Sequence, residues 1–222
     1  MVGEAELGDA YDRAMTSTVD EDAATTGRAA RRRDRRKAEM IATALQILSS
    51  SGYQGMRFED VAERTDIAKA TLYHYFPSKD ALVSAALEKL HDDAITPLRE
   101  GLDAAPDSSP AEQLRILITE QLHVLTVRYP EVGKLFAFPG AWPDEHGDAI
   151  KTMRRRHDRI FREVIDRGIE TGDFDVPDPA VALHCLHGIL NHASIWLRPE
   201  ADPDHRSRDA VVEESMRLFV RA

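Results

Sequence analysis

The sequence predicts an all-α chain, built as an N-terminal three-helix unit containing a helix-turn-helix and a larger helical domain behind it. Three observations predict this. From Ala38 onward, apolar residues recur at spacings of three and four, the period of one helical face. Stop and start signals punctuate that pattern at helix-like intervals: Ser78, the Asp103–Pro110 stretch, Gly172-Asp173 and Pro199. No strand-like alternation persists, and no internal repeat is visible.

Residues 1–27 hold seven acids and one base, are rich in Ala and Thr, and lack a sustained apolar face. They read as a disordered acidic tail. A basic run follows: Arg28, Arg31, Arg32, Arg33, Arg35, Arg36 and Lys37, with Asp34 the one acid among them. It is either a solvated charge run or an arm that touches phosphates or a minor groove, and its place just before the helix-turn-helix favours the arm. Met40, Ile41, Ala44, Leu45 and Leu48 mark the first core-facing helix, which Ser49-Ser50-Ser51-Gly52 stops. A short helix from about Phe58 to Thr65 turns Phe58, Val61 and Ala62 inward. A third runs from about Lys69 to Phe76 and ends at Pro77. Ser78 caps a fourth, whose stripe is Leu82, Ala85, Ala86 and Leu90. Two short helices joined by a tight turn make a helix-turn-helix, so residues 28–90 form one module and 91–222 a second.

In the second module, helices are expected at about 111–128, 131–138, 145–171, 178–198 and 206–221. The helix over 178–198 is apolar around much of its circumference, with Leu183, Leu186, Ile189, Leu190, Ala193 and Leu197 on a wide face. Such a helix suits burial on two sides, against its own core and a partner. Val211, Val212, Met216 and Phe219 supply the inner face of the last one.

A chain of 222 residues can bury a core without covalent staples. Cys185 is the single cysteine, which excludes an intramolecular disulfide and fits a reducing, cytoplasmic setting. No apolar run approaches the roughly 20 residues of a membrane span, and the first residues lack a signal peptide's basic start and apolar middle. The net charge of −10 is segregated: −6 over residues 1–27, +4 over 28–90 and −8 over 91–222. A nucleic-acid partner feels the local field, screened beyond about 8 Å, so a basic module on an acidic body can still bind DNA.

On a helical wheel centred on Leu72, Ala68 and Phe76 lie about 40° to either side and Tyr75 at about 60°, all inward. Lys69, Ala70, Thr71, Tyr73 and His74 face out. A core helix rarely exposes Tyr and His beside Ala. A helix in a major groove would, because the small Ala70 permits close approach while hydroxyl and imidazole groups reach base edges or phosphates. Lys79 adds a charge beside the free N–H groups that open the next helix. Arg33 and Arg36 of the basic run, and Arg57 ahead of the second helix, are further phosphate candidates.

The run Thr71-Leu72-Tyr73-His74-Tyr75-Phe76-Pro77-Ser78-Lys79-Asp80-Ala81-Leu82 closely resembles the DNA-binding domain of the TetR family of bacterial regulators. The resemblance is specific over residues 38–90 and extends to the second half in helix number and order. It implies DNA contacts by Lys69, Thr71, Tyr73, His74, Lys79 and Tyr75. It further implies a homodimer formed by the last two helices, a double-stranded inverted-repeat operator, and a small-molecule effector that releases a repressor. The sequence departs from the family at Met56-Arg57 and Ala68, where helix caps are usual, at Asp66, where glycine is usual, and at Ala70. Gly172-Asp173-Phe174-Asp175, Asp178-Pro179, Leu190-Asn191-His192 and Trp196 are similar to members that sense acyl-CoA thioesters.

Candidate ligand-binding residues are Phe136, Phe138, Trp142, His157, Phe161, His187, Asn191 and Trp196. The plainer reading is that most of them are core residues. Arg154, Arg155, Arg156, Arg159 and Arg162 have acids one turn on and read mainly as a salt-laced exposed face. His184, Cys185, His187 and His192 do not share one face, so no metal and no cofactor are expected beyond the effector. An enzyme is not expected: no Gly-rich phosphate loop or GxSxG elbow is present. An architectural DNA-binding protein without a ligand is the alternative, against which the size of the C-terminal half argues.

Overall fold

The computed structural model describes residues 4–129, 144–197, 200 and 204–220, with side chains from residue 27 in the first stretch and from residue 146 in the second. Among these residues there are eight α-helices and no strand. They are α1 (Glu4–Gly55), α2 (Phe58–Arg64), α3 (Lys69–Tyr75), α4 (Lys79–Asp103), α5 (Pro110–His123), α6 (Asp144–Thr171), α7 (Pro179–Trp196) and α8 (Arg206–Met216). A π-helical turn, Val124–Arg128, continues α5. The helix expected over 131–138 lies outside the described residues. No described helix is long and apolar enough to cross a membrane.

Helix α1 begins at Glu4, where composition predicts a disordered tail over 1–27. No proline interrupts the segment, its alanines favour helix, and its acids lie toward the positive end of the helix dipole. The basic run is likewise part of α1 and leads into its core-facing stretch. The expected stop at Gly52 is real: φ 68° and ψ 177° take the backbone out of the helix at a residue that bears no Cβ.

The departures at the short helices are absorbed locally. Arg57 offers no acceptor, so only the reciprocal half of a cap stands at α2, with the Asp60 carboxylate accepting the Arg57 N–H at 3.2 Å. Asp66 holds the turn at φ 51°, a left-handed conformation that Asp tolerates better than most residues. Ala68 has extended backbone just ahead of α3 and is exposed, against the inward place the wheel gives it, because the helical period does not yet apply there. Ser78 caps α4, accepting the Ala81 N–H at 3.1 Å. Ser109 and Glu112 close a full capping box on α5, and Asp178 accepts from Ala180 and Val181 at the start of α7. At the end of α6 the Phe174 ring covers Gly168 so closely that a Cβ there would lie 2.1 Å from it.

Two apolar cores result. The first joins Met40, Leu48, Phe58, Val61, Leu72 and Phe76 to Leu82, Leu87 and Leu90 of α4. The second gathers Leu114, Leu117, Phe161, Ile165, Leu186, Leu190, Met216 and Phe219. Two helices belong to both. Helix α4 gives Leu90 to the first core and Ile95 and Leu98 to the second. Helix α6 gives Ile150 to the first and Ile160, Phe161, Val164 and Ile165 to the second. The boundary expected at residue 90 therefore falls inside α4, near Pro97, whose missing N–H leaves one helical hydrogen bond unmade.

Candidate DNA interface and effector cavity

Helix α3 is pinned by Leu72, which is fully buried, and by Phe76 just past its end. The opposite side is open: Lys69, Ala70, Thr71, Tyr73 and His74 are all exposed, as the wheel predicts. Tyr73 stands 47% exposed, braced by the Phe58 ring at 4.8 Å, so its hydroxyl end is presented on a fixed aromatic base. Tyr75 is half-buried against the first core, its inward tilt confirmed. Lys69 pairs with Glu59 at 2.5 Å, and this hydrogen bond lowers the Glu59 carboxyl and raises the Lys69 ammonium from their ordinary pKa values. Lys79 donates to the Tyr53 carbonyl at 2.6 Å and sits 4.0 Å over its ring, which fixes the ammonium at the mouth of α4.

The basic run lies alongside this face. Arg33 lies 5.9 Å over the Tyr75 ring, and an open groove of about 600 Å³ runs between Arg28, Arg32, Arg36 and the His74–Tyr75 end of α3. Arg36 pairs with Glu39 at 3.1 Å, and Arg57 is exposed ahead of α2. The ten candidate residues thus lie on or beside α3, on the neighbouring stretch of α1, ahead of α2 and at the start of α4.

The ligand candidates are only partly brought together. A cavity of about 330 Å³ lies where α4, the α5 end, α6 and α7 meet, and His157, His187 and Asn191 line it. Phe161 is fully buried behind it, its ring 5.2 Å from both histidine rings, as a core residue that supports the wall. Trp196 is 51% exposed and does not line the cavity. Phe136, Phe138 and Trp142 lie outside the described residues. Sequence reasoning missed His91, Gln121 and Asp158 in the wall. Asp158 reads in sequence as a surface partner for Arg154. In the structure its carboxylate also lies 3.3 Å from His187 Nδ1. Burial, reinforced by the neighbouring His157, depresses the His187 pKa to about 4 and keeps the ring neutral near pH 7.

The cavity is linked to the first core through α6. Near its start, His146 is buried, 3.3 Å from Asp80 of α4, with its ring 5.3 Å from that of Tyr53. Tyr53 also donates to Asp80, which holds that carboxyl below its ordinary range. Past the π-helical turn, Tyr129 donates to Asp93 of α4. Burial and that carboxylate push the tyrosine up to about 12.

A buried-backed reading helix on a small three-helix head, joined through shared helices to a helical body with a cavity, defines a one-component regulator architecture. Residues 40–86 match the model of bacterial regulatory proteins of the tetR family, and residues 107–221 match a tetracyclin repressor-like C-terminal domain. The chain belongs to the TetR family, a non-enzymatic class of DNA-binding transcriptional regulators. It is 33% identical over 112 residues to the HTH-type transcriptional regulator RutR of Escherichia coli K12, covering 50% of this chain and 51% of that protein. The match thus spans about half the length of that curated relative. A tetR-family regulatory protein from Rhodococcus RHA1 shares the fold with a TM-score of 0.70 at 22% identity, covering 84% of this chain and 98% of the other. AibR in complex with isovaleryl coenzyme A and operator DNA has a TM-score of 0.66 at 18% identity, covering 83% and 98%. At these identities the two structural likenesses are of fold.

Proposed function

We propose that the protein is a cytoplasmic, sequence-specific repressor that binds an inverted-repeat operator as a homodimer and lets go when a small molecule fills the cavity. The observation that carries this is the outward face of α3, where Lys69, Thr71, Tyr73 and His74 stand exposed over a helix anchored by Leu72. Those groups offer donors and acceptors of the kind that read base edges, while Lys79, Arg57, Arg33 and Arg36 would hold phosphates. A homodimer is supported by α7. Val181, Cys185, Gly188, His192 and Trp196 follow one another at helical spacing and are all exposed, a mixed apolar stripe that suits a partner. Two copies joined there would set two reading heads about 34–36 Å apart, one turn of DNA.

The cavity supports the effector part of the reading, because its walls include α4 and α6, the two helices that also pack in the head. An effector favouring one relative tilt of these helices would shift the spacing of the heads, by no more than its differential affinity for the two states. An acyl-CoA thioester is the candidate class. AibR, of like fold, is seen with isovaleryl coenzyme A, and the apolar Leu90, Ala94, Leu125 and Met153 offer a short acyl chain a wall.

The test is selection of genomic fragments by the purified protein, with His74→Ala in parallel. Recovery of an inverted repeat that the variant binds poorly supports the reading. Equal, sequence-independent recovery by both proteins would sink it. Val181→Asp, at a 57% exposed position, should halve the particle mass in sedimentation if α7 is the interface.

A further inference from the structure

We propose that His157, Asp158 and His187 form a binding site for a first-row transition dication of the zinc type, set in the polar wall of the cavity. The three side chains come from α6 and α7, and their ligand atoms all lie within 4.8 Å of one another. Asp158 Oδ1 is the hub, 3.8 Å from His157 Nδ1 and 3.3 Å from His187 Nδ1. Ligands about 2.1 Å from a tetrahedral ion stand about 3.4 Å apart, so the cluster needs only a small closure to hold one.

The hydrogen bonding around the cluster points the same way. His157 Nε2 lies 2.8 Å from Gln121 Oε1. That amide oxygen can only accept, so a proton sits on Nε2, and in the neutral ring Nδ1 then carries a lone pair that can bind an ion. In that tautomer the Nδ1 lone pair faces the Asp158 carboxylate, and a cation between them would bind both. In His187 it is likewise Nδ1 that faces Asp158, while Nε2 is buried without a hydrogen-bond partner among the described residues. An ion bound by Nδ1 of both rings and by Asp158 would fill the space between the three groups, with each ring's proton on Nε2.

Gln121 then has a definite job. By accepting from the far nitrogen of His157 it fixes the tautomer and the ring plane, as the partner of a metal-bound histidine commonly does. The ring is further held by Phe161 at 5.2 Å and by the His187 ring at 5.1 Å. Two imidazoles and one carboxylate favour zinc, cobalt, nickel or ferrous ions over magnesium or calcium, which require oxygen donors. His184, one turn before His187, lines the same cavity and is bonded through Nδ1 to the Ala180 carbonyl at 2.7 Å, leaving Nε2 as a further donor. Three protein ligands leave a position for water or for an oxygen atom of an effector. The site itself does not depend on the effector reading.

The experiment uses the full-length, tag-free protein, stripped with a chelator and titrated with Co²⁺ alone, which absorbs visibly when bound by few ligands. One Co²⁺ per chain is expected, with visible bands. Asp158→Asn and His187→Gln should each weaken binding at least tenfold, Gln121→Ala about tenfold, and His192→Ala, outside the cluster, not at all. Asp158 is 41% exposed in its side chain, so its variant folds even if His187→Gln does not. No stoichiometric binding by the wild-type chain, or binding unmoved by Asp158→Asn, overturns the proposal. Because DNA is absent from the titration, its outcome is independent of whether an operator exists.

Discussion

The reading head draws its core almost wholly from residues 40–90, and each buried side chain meets others within that stretch, Ile150 being the exception. The cavity is walled by Leu90, Gln121, His157 and His187, which no local pattern connects. A head assembled from neighbours announces itself through spacing. A cavity assembled from four distant segments exists only after the helices have packed. Helices α4 and α6 run through both regions, so the contrast is one of assembly and not of mechanical separation.

The largest expected effect tests that coupling. Leu72→Ala empties a fully buried site in the head and should cost about 3 kcal/mol in urea unfolding. One transition should shift as a whole, because the shared helices tie the cores together. A biphasic curve in which only the first step moves would show that the cores melt separately. His74→Ala touches an exposed side chain, so the thermal midpoint should hold while operator affinity falls about tenfold to a hundredfold, the range for loss of a base contact. A midpoint that drops with affinity would assign His74 to packing.

Tyr129→Phe removes a hydrogen bond between the end of the π-helical turn and Asp93, and should cost about 1 kcal/mol at neutral pH. Its pH signature is specific. Burial and Asp93 hold the folded tyrosine up to about 12, above the ordinary value of 10.0. Between these values the unfolded chain loses the proton and the folded one keeps it. Stability should therefore fall as pH rises from 10 to 12 in the wild type, and less steeply in the variant. Equal slopes would show that the bond does not matter in solution. Glu59→Gln is the smallest change. It frees Lys69 from its 2.5 Å partner, and DNA affinity should rise a few-fold with a salt dependence steeper by about one ion. No change would place Lys69 away from phosphate.

The same contrast explains what could be read from the chain. The apolar spacing gave α2, α3, the start of α4 and the inner faces of α7 and α8, since each is decided by its own periodicity and caps, whereas Val83 and Leu87 of α4 and its unbroken run past residue 90 were not anticipated. Ala68 escaped because it precedes the first helical residue, where a wheel has no meaning. The helical start of α1 is hidden in the sequence because its residues lack an apolar face, while its alanines and the absence of proline still favour helix. In the cavity, aromatic residues were the obvious guess, yet Phe161 went to the core and Trp196 to the outside. The polar residues that do line it, Gln121 and Asp158 above all, sit on helices where they pass for ordinary surface groups. The grouping of His157 and Asp158 with His187 was invisible because 29 residues separate Asp158 from His187, and only packing of the two helices brings them together.

Because α4 and α6 are each common to the two cores, this protein has no clean seam for engineering. A chimera cut at residue 90 would sever α4 between Leu90 and Ile95 and leave two frayed ends. A foreign sensor grafted beneath this head would have to bring a helix that replaces α6, with a side chain filling the place of Ile150 and a buried partner for Asp80 where His146 now stands. Crossovers placed after α4, in the turn at Ala104–Ser109, keep the head's own strut whole, and they reduce the redesign to that returning helix.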